Sequence, residues 1–128
     1  MQPEPTVYVV DDDEAMRDSL RWLIESEGLA VETYAEAQDF LDVYDGKKHG
    51  CLVLDLRMPN MSGLELQDAL ASRNITIPII FITAHGEIKA AVRAMKGGAV
   101  DFISKPFSDQ LLLDRIQQAI KNGGTEFP

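Results

Sequence analysis

A chain of 128 residues with 45% hydrophobic content fits one domain with a packed core, which at this size buries roughly two-thirds of the surface exposed when unfolded. A net charge of −9 argues against direct contact with nucleic acid or an anionic membrane. No apolar run approaches the ~20 residues of a bilayer span, no basic segment leads into an apolar one at the start, and the single cysteine, Cys51, has no internal partner, so a soluble cytoplasmic protein is expected.

The chain opens on a breaker-rich stretch, residues 1–5, expected to fray. The first short apolar run, residues 7–10, leads into four acids, Asp11, Asp12, Asp13 and Glu14, and then into a helical stripe of Met16, Leu20, Leu23 and Ile24. Asp13, just before that stripe, reads as a helix N-cap. Gly28 breaks the pattern, and a second run, residues 29–34, ends in Tyr34-Ala35 with no chemically active group. Ala37, Phe40 and Leu41 mark a short helix, closed by Asp45-Gly46. A third run, residues 51–54, delivers Asp55, and its Cys51 reads as a buried, inert thiol. Past Pro59 and Gly63, Leu66, Ala69 and Leu70 mark a third helix, which ends near Asn74. The fourth run, residues 79–82, ends in Thr83, and Ile88, Ala91, Val92 and Met95 are the expected core stripe of the next helix, with Ala90 and Ala94 off it. After Gly97-Gly98 the fifth run, residues 100–103, is followed by Lys105-Pro106 and a last stripe of Leu112, Ile116, Ala119 and Ile120.

Most of these runs lack polar alternation, as expected of parallel strands covered on both faces. Five runs alternating with five helical segments predict an α/β fold, a flavodoxin-like (βα)5 doubly wound parallel sheet in three α/β/α layers. The strand order expected is 2-1-3-4-5. The domain is expected over residues 1–122, with 123–128 a linker or tail.

Sheets of this kind place their sites beyond the carboxyl ends of the strands. With the second strand at the edge, the other four runs deliver the acidic cluster, Asp55, Thr83 and Lys105 to one end of the sheet. Each residue alone has an ordinary explanation: a cap, a loop aspartate, a strand-end hydroxyl, a solvated lysine. Their joint placement does not. Carboxylates within ~5 Å repel by roughly 3 kcal/mol per pair at an effective dielectric near 20. Raised pKa values or a bound hard cation such as Mg²⁺ must relieve that repulsion. A flavin phosphate, the other ligand of this topology, is disfavoured by four acids in the first loop.

The segments VYVVDDDEAMRDSL, VLDLRMPNMSGLEL, FITAHG and AVDFISKPF, spanning residues 7 to about 121, resemble the receiver domains of bacterial two-component response regulators. The wording LRMPNMSG and AMKGGAVDFISKPF is most similar to the FixJ-type transcriptional branch. The resemblance implies that Asp55 accepts a phosphoryl group from the phosphohistidine of a sensor histidine kinase. It implies Mg²⁺, replaceable by Mn²⁺, on Asp12, Asp55 and the backbone carbonyl of Arg57, with Asp11 acting through water. Lys105 and Thr83 would hold the phosphoryl group, Phe102 would be the aromatic switch, and Pro106 would follow a cis peptide. It further implies a homodimer through the fourth helix and fifth strand on phosphorylation, and DNA binding by a C-terminal output domain beyond this chain.

Arg57 and His85 flank the expected pocket, where they either tune phosphoryl lifetime or are plain surface residues. Trp22 lies off its helix's main stripe and receives no role. The expectation is a phosphoacceptor that promotes its own phosphotransfer and dephosphorylation, not a conventional enzyme. A phosphatase with an aspartyl-phosphate intermediate is the lesser alternative, since it would want an acid where Arg57 stands. A stand-alone receiver acting through protein contacts is the other.

Overall fold

The structure, a computed structural model, describes residues 4–84 and 87–124. In chain order the elements are β1 (Thr6–Val10), α1 (Glu14–Glu25), β2 (Ala30–Tyr34), α2 (Ala37–Val43), β3 (Gly50–Asp55), α3 (Gly63–Ser72), β4 (Ile79–Ala84), α4 (Ile88–Lys96), β5 (Asp101–Lys105) and α5 (Asp109–Gly124). The five strands form one sheet in the order β2-β1-β3-β4-β5, and every pairing is parallel. This is the predicted doubly wound topology. The predicted runs fall on the five strands, displaced by one or two residues at their ends.

The two-residue period of a strand divides its side chains between two cores. Tyr8, Val10, Leu52, Leu54 and Phe81 face α2, α3 and α4, where they meet Phe40, Leu41, Leu66, Leu70 and Ala94. Val7, Val9, Cys51, Val53, Ile80 and Ile82 face α1 and α5, where they meet Leu20, Ile24, Leu112, Ile116 and Ala119. Cys51 is wholly buried and burial pushes its thiol up to about 12, so it is the inert core residue expected.

Local chemistry sets where helices begin. Asp13 caps α1, accepting from the backbone N–H groups of Ala15 at 3.0 Å and Met16 at 3.4 Å. Ser62 and Glu65 form a reciprocal capping box at the start of α3. Gly63 is required there, because a Cβ at that position would lie 2.5 Å from the carbonyl oxygen of Asp55. The absence of a side chain lets α3 start directly beneath the end of β3.

One helix is turned the other way from its predicted stripe. In α4 the residue that is buried is Ala94, and Ala90 packs against the core beside it. Ile88, Val92 and Met95 are 76%, 49% and 47% exposed. The reason is close approach: Gln67 of α3 donates from Nε2 to the carbonyl of Ala94 at 2.9 Å, and the small Ala94 side chain is wholly buried in that seam. The expectation that Ile88, Ala91, Val92 and Met95 are the core stripe, with Ala90 and Ala94 off it, is therefore corrected; the outward face is large and apolar.

Candidate functional site

Parallel pairing in register brings four strand ends to one edge. Val10 lies opposite Leu54, Asp55 opposite Ile82, and Thr83 opposite Ser104. The residues after β1 and at the ends of β3, β4 and β5 therefore converge, while β2 at the edge contributes none. Carboxylate oxygens of Asp11, Asp12 and Asp55 lie within 4.8 Å of one another. Asp12 is exposed, whereas Asp11 and Asp55 are buried.

Asp11 is held by its neighbours. Its Oδ1 accepts from the N–H of Asp13 at 2.9 Å, its carbonyl accepts from Arg17 at 2.7 Å, and Lys105 Nζ stands 3.8 Å from its Oδ2. Burial pushes the Asp11 carboxyl above its ordinary range, opposed by the Asp13 N–H and by Lys105. Asp55 is pushed further, to about 7, first by burial and then by the charge of Asp11, with Lys105 again opposing. Lys105 thus acts on both buried carboxylates without cancelling the push of burial and of their mutual repulsion. The cluster's donors are all oxygen, one carboxylate is open to solvent, and the group can hold a hard metal ion.

Thr83 is 1% exposed, and its Oγ1 has no hydrogen-bond partner among the described residues. Buried hydroxyls are ordinarily paired. This one has the capacity to donate to an acceptor arriving between β3 and β4. Phe102 is half-buried, its ring centroid 6.0 Å from that of Phe81, so in this structure it packs against the α3–α4 side of the sheet. The Lys105–Pro106 peptide is cis, as expected. His85 lies outside the described residues.

Two features had no counterpart in the sequence reading. Arg57 makes a two-point contact with Glu87, Nε to Oε1 at 3.1 Å and an NH2 nitrogen to Oε2 at 2.7 Å. Glu87 stands before α4, where an acid would be read as a cap, yet it makes no side-chain cap bond. Trp22, 74% exposed, lines a groove of about 930 Å³ with Met16, Leu23, Pro106 and Phe107, continuous with Lys105. No periodic signal marks either feature, because each joins elements remote in sequence.

The pattern of the family described as the response regulator receiver domain matches residues 7–117. The chain belongs to the response regulator receiver domain family. It is 50% identical over 115 residues to the transcriptional regulatory protein TdiR of Thauera aromatica, covering 90% of this chain and 51% of that protein. It is 47% identical over 115 residues to FixJ of Bradyrhizobium diazoefficiens, covering 90% of this chain and 56% of FixJ. Among solved structures, response regulator StyR superposes with a TM-score of 0.92 at 52% identity, over 97% of this chain and 63% of that one. The FixJ-N crystal structure superposes at 0.87 with 46% identity, over 94% and 96% of the two chains. The chain spans about half the length of the curated relatives it matches.

Proposed function

We propose that this receiver domain is a switch operated by Mg²⁺-dependent phosphorylation of Asp55. The observation that carries the reading is the meeting of three carboxylates with Lys105 and the unpaired Thr83 hydroxyl at one end of the sheet. Asp12 and Asp55, with the carbonyl of Arg57 and with Asp11 through water, would hold Mg²⁺. Bound there, Mg²⁺ would supply positive charge to the oxygens of the group in transfer.

The remaining work falls to the chain itself. An Asp55 oxygen bonds to phosphorus as the bond from phosphorus to the donor's imidazole nitrogen breaks, and the electron pair leaves with the imidazole. Lys105 offsets the gathered negative charge, and Thr83 donates its O–H to a phosphoryl oxygen. The groove between α1 and the β5–α5 loop, lined by Trp22 and reaching Lys105, gives a histidine kinase an apolar landing next to the site. The domain is a phosphoacceptor that promotes its own phosphotransfer and dephosphorylation; the acyl phosphate is formed and later hydrolysed on the same carboxylate.

Thr83 moving toward the phosphoryl group and Phe102 turning inward would bias the α4–β5 face toward a two-fold dimer. The relatives named transcriptional regulators extend well beyond the matched half. Dimerisation would then pair two C-terminal output segments on DNA, with the receiver making no contact with nucleic acid or membrane. Among the described residues, no helix is long and apolar enough to cross a membrane.

The test is direct. A small phosphodonor with Mg²⁺ adds one phosphoryl group to the wild-type chain, chelation abolishes the addition, and Asp55→Asn removes the main acceptor. Equal labelling of the Asn variant by intact-mass spectrometry would overturn the assignment.

A further inference from the structure

The fastening of α4 combines small apolar contacts of Ala90 and Ala94 with polar links. Of its nine residues Ala94 is buried, while three large apolar side chains face outward. Three polar links tie the helix region to α3 and the loop before it. Gln67 donates to the Ala94 carbonyl at 2.9 Å, Arg93 pairs with Asp68 at 2.8 Å, and Glu87 receives the two-point contact from Arg57. A short element with little buried apolar surface lies at the low end of local stability. Such an element is displaced by small changes in its attachments.

Of the three links, the Arg57–Glu87 pair joins the two loops that border the site. Arg57 follows Asp55 by two residues and Glu87 follows Thr83 by four. The Glu87 carboxylate is engaged across the gap and leaves the first-turn N–H groups of α4 without a side-chain cap. Arg57 holds the Glu87 carboxyl below its ordinary range, chiefly through their hydrogen bonds. A guanidinium fork matches a carboxylate and a phosphoryl group with the same planar geometry. A phosphoryl dianion on Asp55 therefore competes with Glu87 for Arg57.

We infer that the Arg57–Glu87 ion pair is a latch holding the start of α4 in its resting position, released when Asp55 carries a phosphoryl group. The inference rests on Asp55 being the phosphoacceptor. Arg57 is exposed and Glu87 half-buried, so the latch biases the equilibrium and does not lock it. Release frees Glu87 and the first turn of α4, and a shift there accompanies the Thr83 hydroxyl finding its acceptor. The remaining links, Gln67 to Ala94 and Asp68 to Arg93, lie farther along α4 and serve as the pivot.

The experiment compares the full 128-residue chain with Glu87→Gln, Arg57→Gln and the double variant. Beryllofluoride with Mg²⁺ is titrated as the phosphoryl mimic, followed by amide NMR, and amide hydrogen exchange is read on the metal-free proteins. Glu87→Gln is expected to bind beryllofluoride about twofold to fivefold more tightly, the range open to an exposed ion pair. Its amides in the first turns of α4 exchange faster than in the wild type. Adding Glu87→Gln to Arg57→Gln brings no further change, since the latch is already gone. Unchanged α4 exchange in Glu87→Gln, or an equal gain in the Arg57→Gln background, would sink the latch alone. A wild-type chain that takes up no beryllofluoride would instead sink the phosphoacceptor reading.

Discussion

Asp55 carries a charge that its surroundings oppose, and the consequence is a pH dependence of unusual sign. Its carboxyl is pushed up to about 7 by burial and by the charge of Asp11, against roughly 4 in an unfolded chain. Between roughly pH 4 and 7 the folded protein binds a proton that the unfolded chain lacks. Stability without metal therefore falls as pH rises through that window, by on the order of a few kcal/mol. Most carboxylates act in the opposite sense. Asp55→Asn removes this term while keeping the shape, so in chelator its melting temperature should exceed the wild type's by more at pH 8 than at pH 5. Calorimetric scans at both pH values check this, and an advantage that does not grow with pH would contradict the charge argument. At this scale much was legible in the sequence: Asp11, Asp12, Asp55, Thr83 and Lys105 each follow an apolar run, and the topology gathers whatever follows such runs. Glu87 was not legible, because an ion pair between residues 30 positions apart in two different loops leaves no pattern along the chain.

At the scale of elements, the caps and the strands were readable, while the facing of one helix was not. Asp13 accepts from two first-turn N–H groups of α1, as its place before an apolar stripe predicted. Asp13→Ala should cost about 1 kcal/mol, lowering the melting temperature by roughly 3–5 °C in a domain of this size. Mg²⁺ affinity should change little, because the Asp13 group that supports the site is its backbone N–H on Asp11, which alanine retains. Thermal melts paired with calorimetric Mg²⁺ titration check both halves. A large loss of affinity would move Asp13 from cap to ligand. In α4 the period of Ile88, Ala91, Val92 and Met95 correctly marked an apolar face but carried no information about its direction. A short helix bound to α3 through Gln67 turns its small residues, Ala94 and Ala90, to the seam. Steric closeness between remote segments overrides the rule that the larger apolar face turns inward.

For the whole molecule, that outward face decides how the proposed dimer should be built. Ile88, Val92 and Met95, with Val100 beyond the helix, place large apolar side chains on the α4–β5 side. The charges beside them are already engaged, Arg93 with Asp68 at 2.8 Å and Asp101 with Arg115 at 2.9 Å. Reversing Arg93 or Asp101 would therefore disturb the monomer as well as any interface, and neither is the cleaner probe. An isologous contact needs a patch complementary to itself, and an apolar strip satisfies that with no further matching. If phosphorylation repositions α4, it changes how that strip is presented. The chain alone should be a monomer and, with beryllofluoride and Mg²⁺, a dimer by light scattering. Val92→Asp puts an unpaired carboxylate at the centre of the strip, where burial in a dimer is strongly opposed. That variant should bind beryllofluoride as the wild type does and remain monomeric. A wild-type chain that stays monomeric at high concentration, or a Val92→Asp variant that dimerises equally well, would place the signalling surface elsewhere on the molecule.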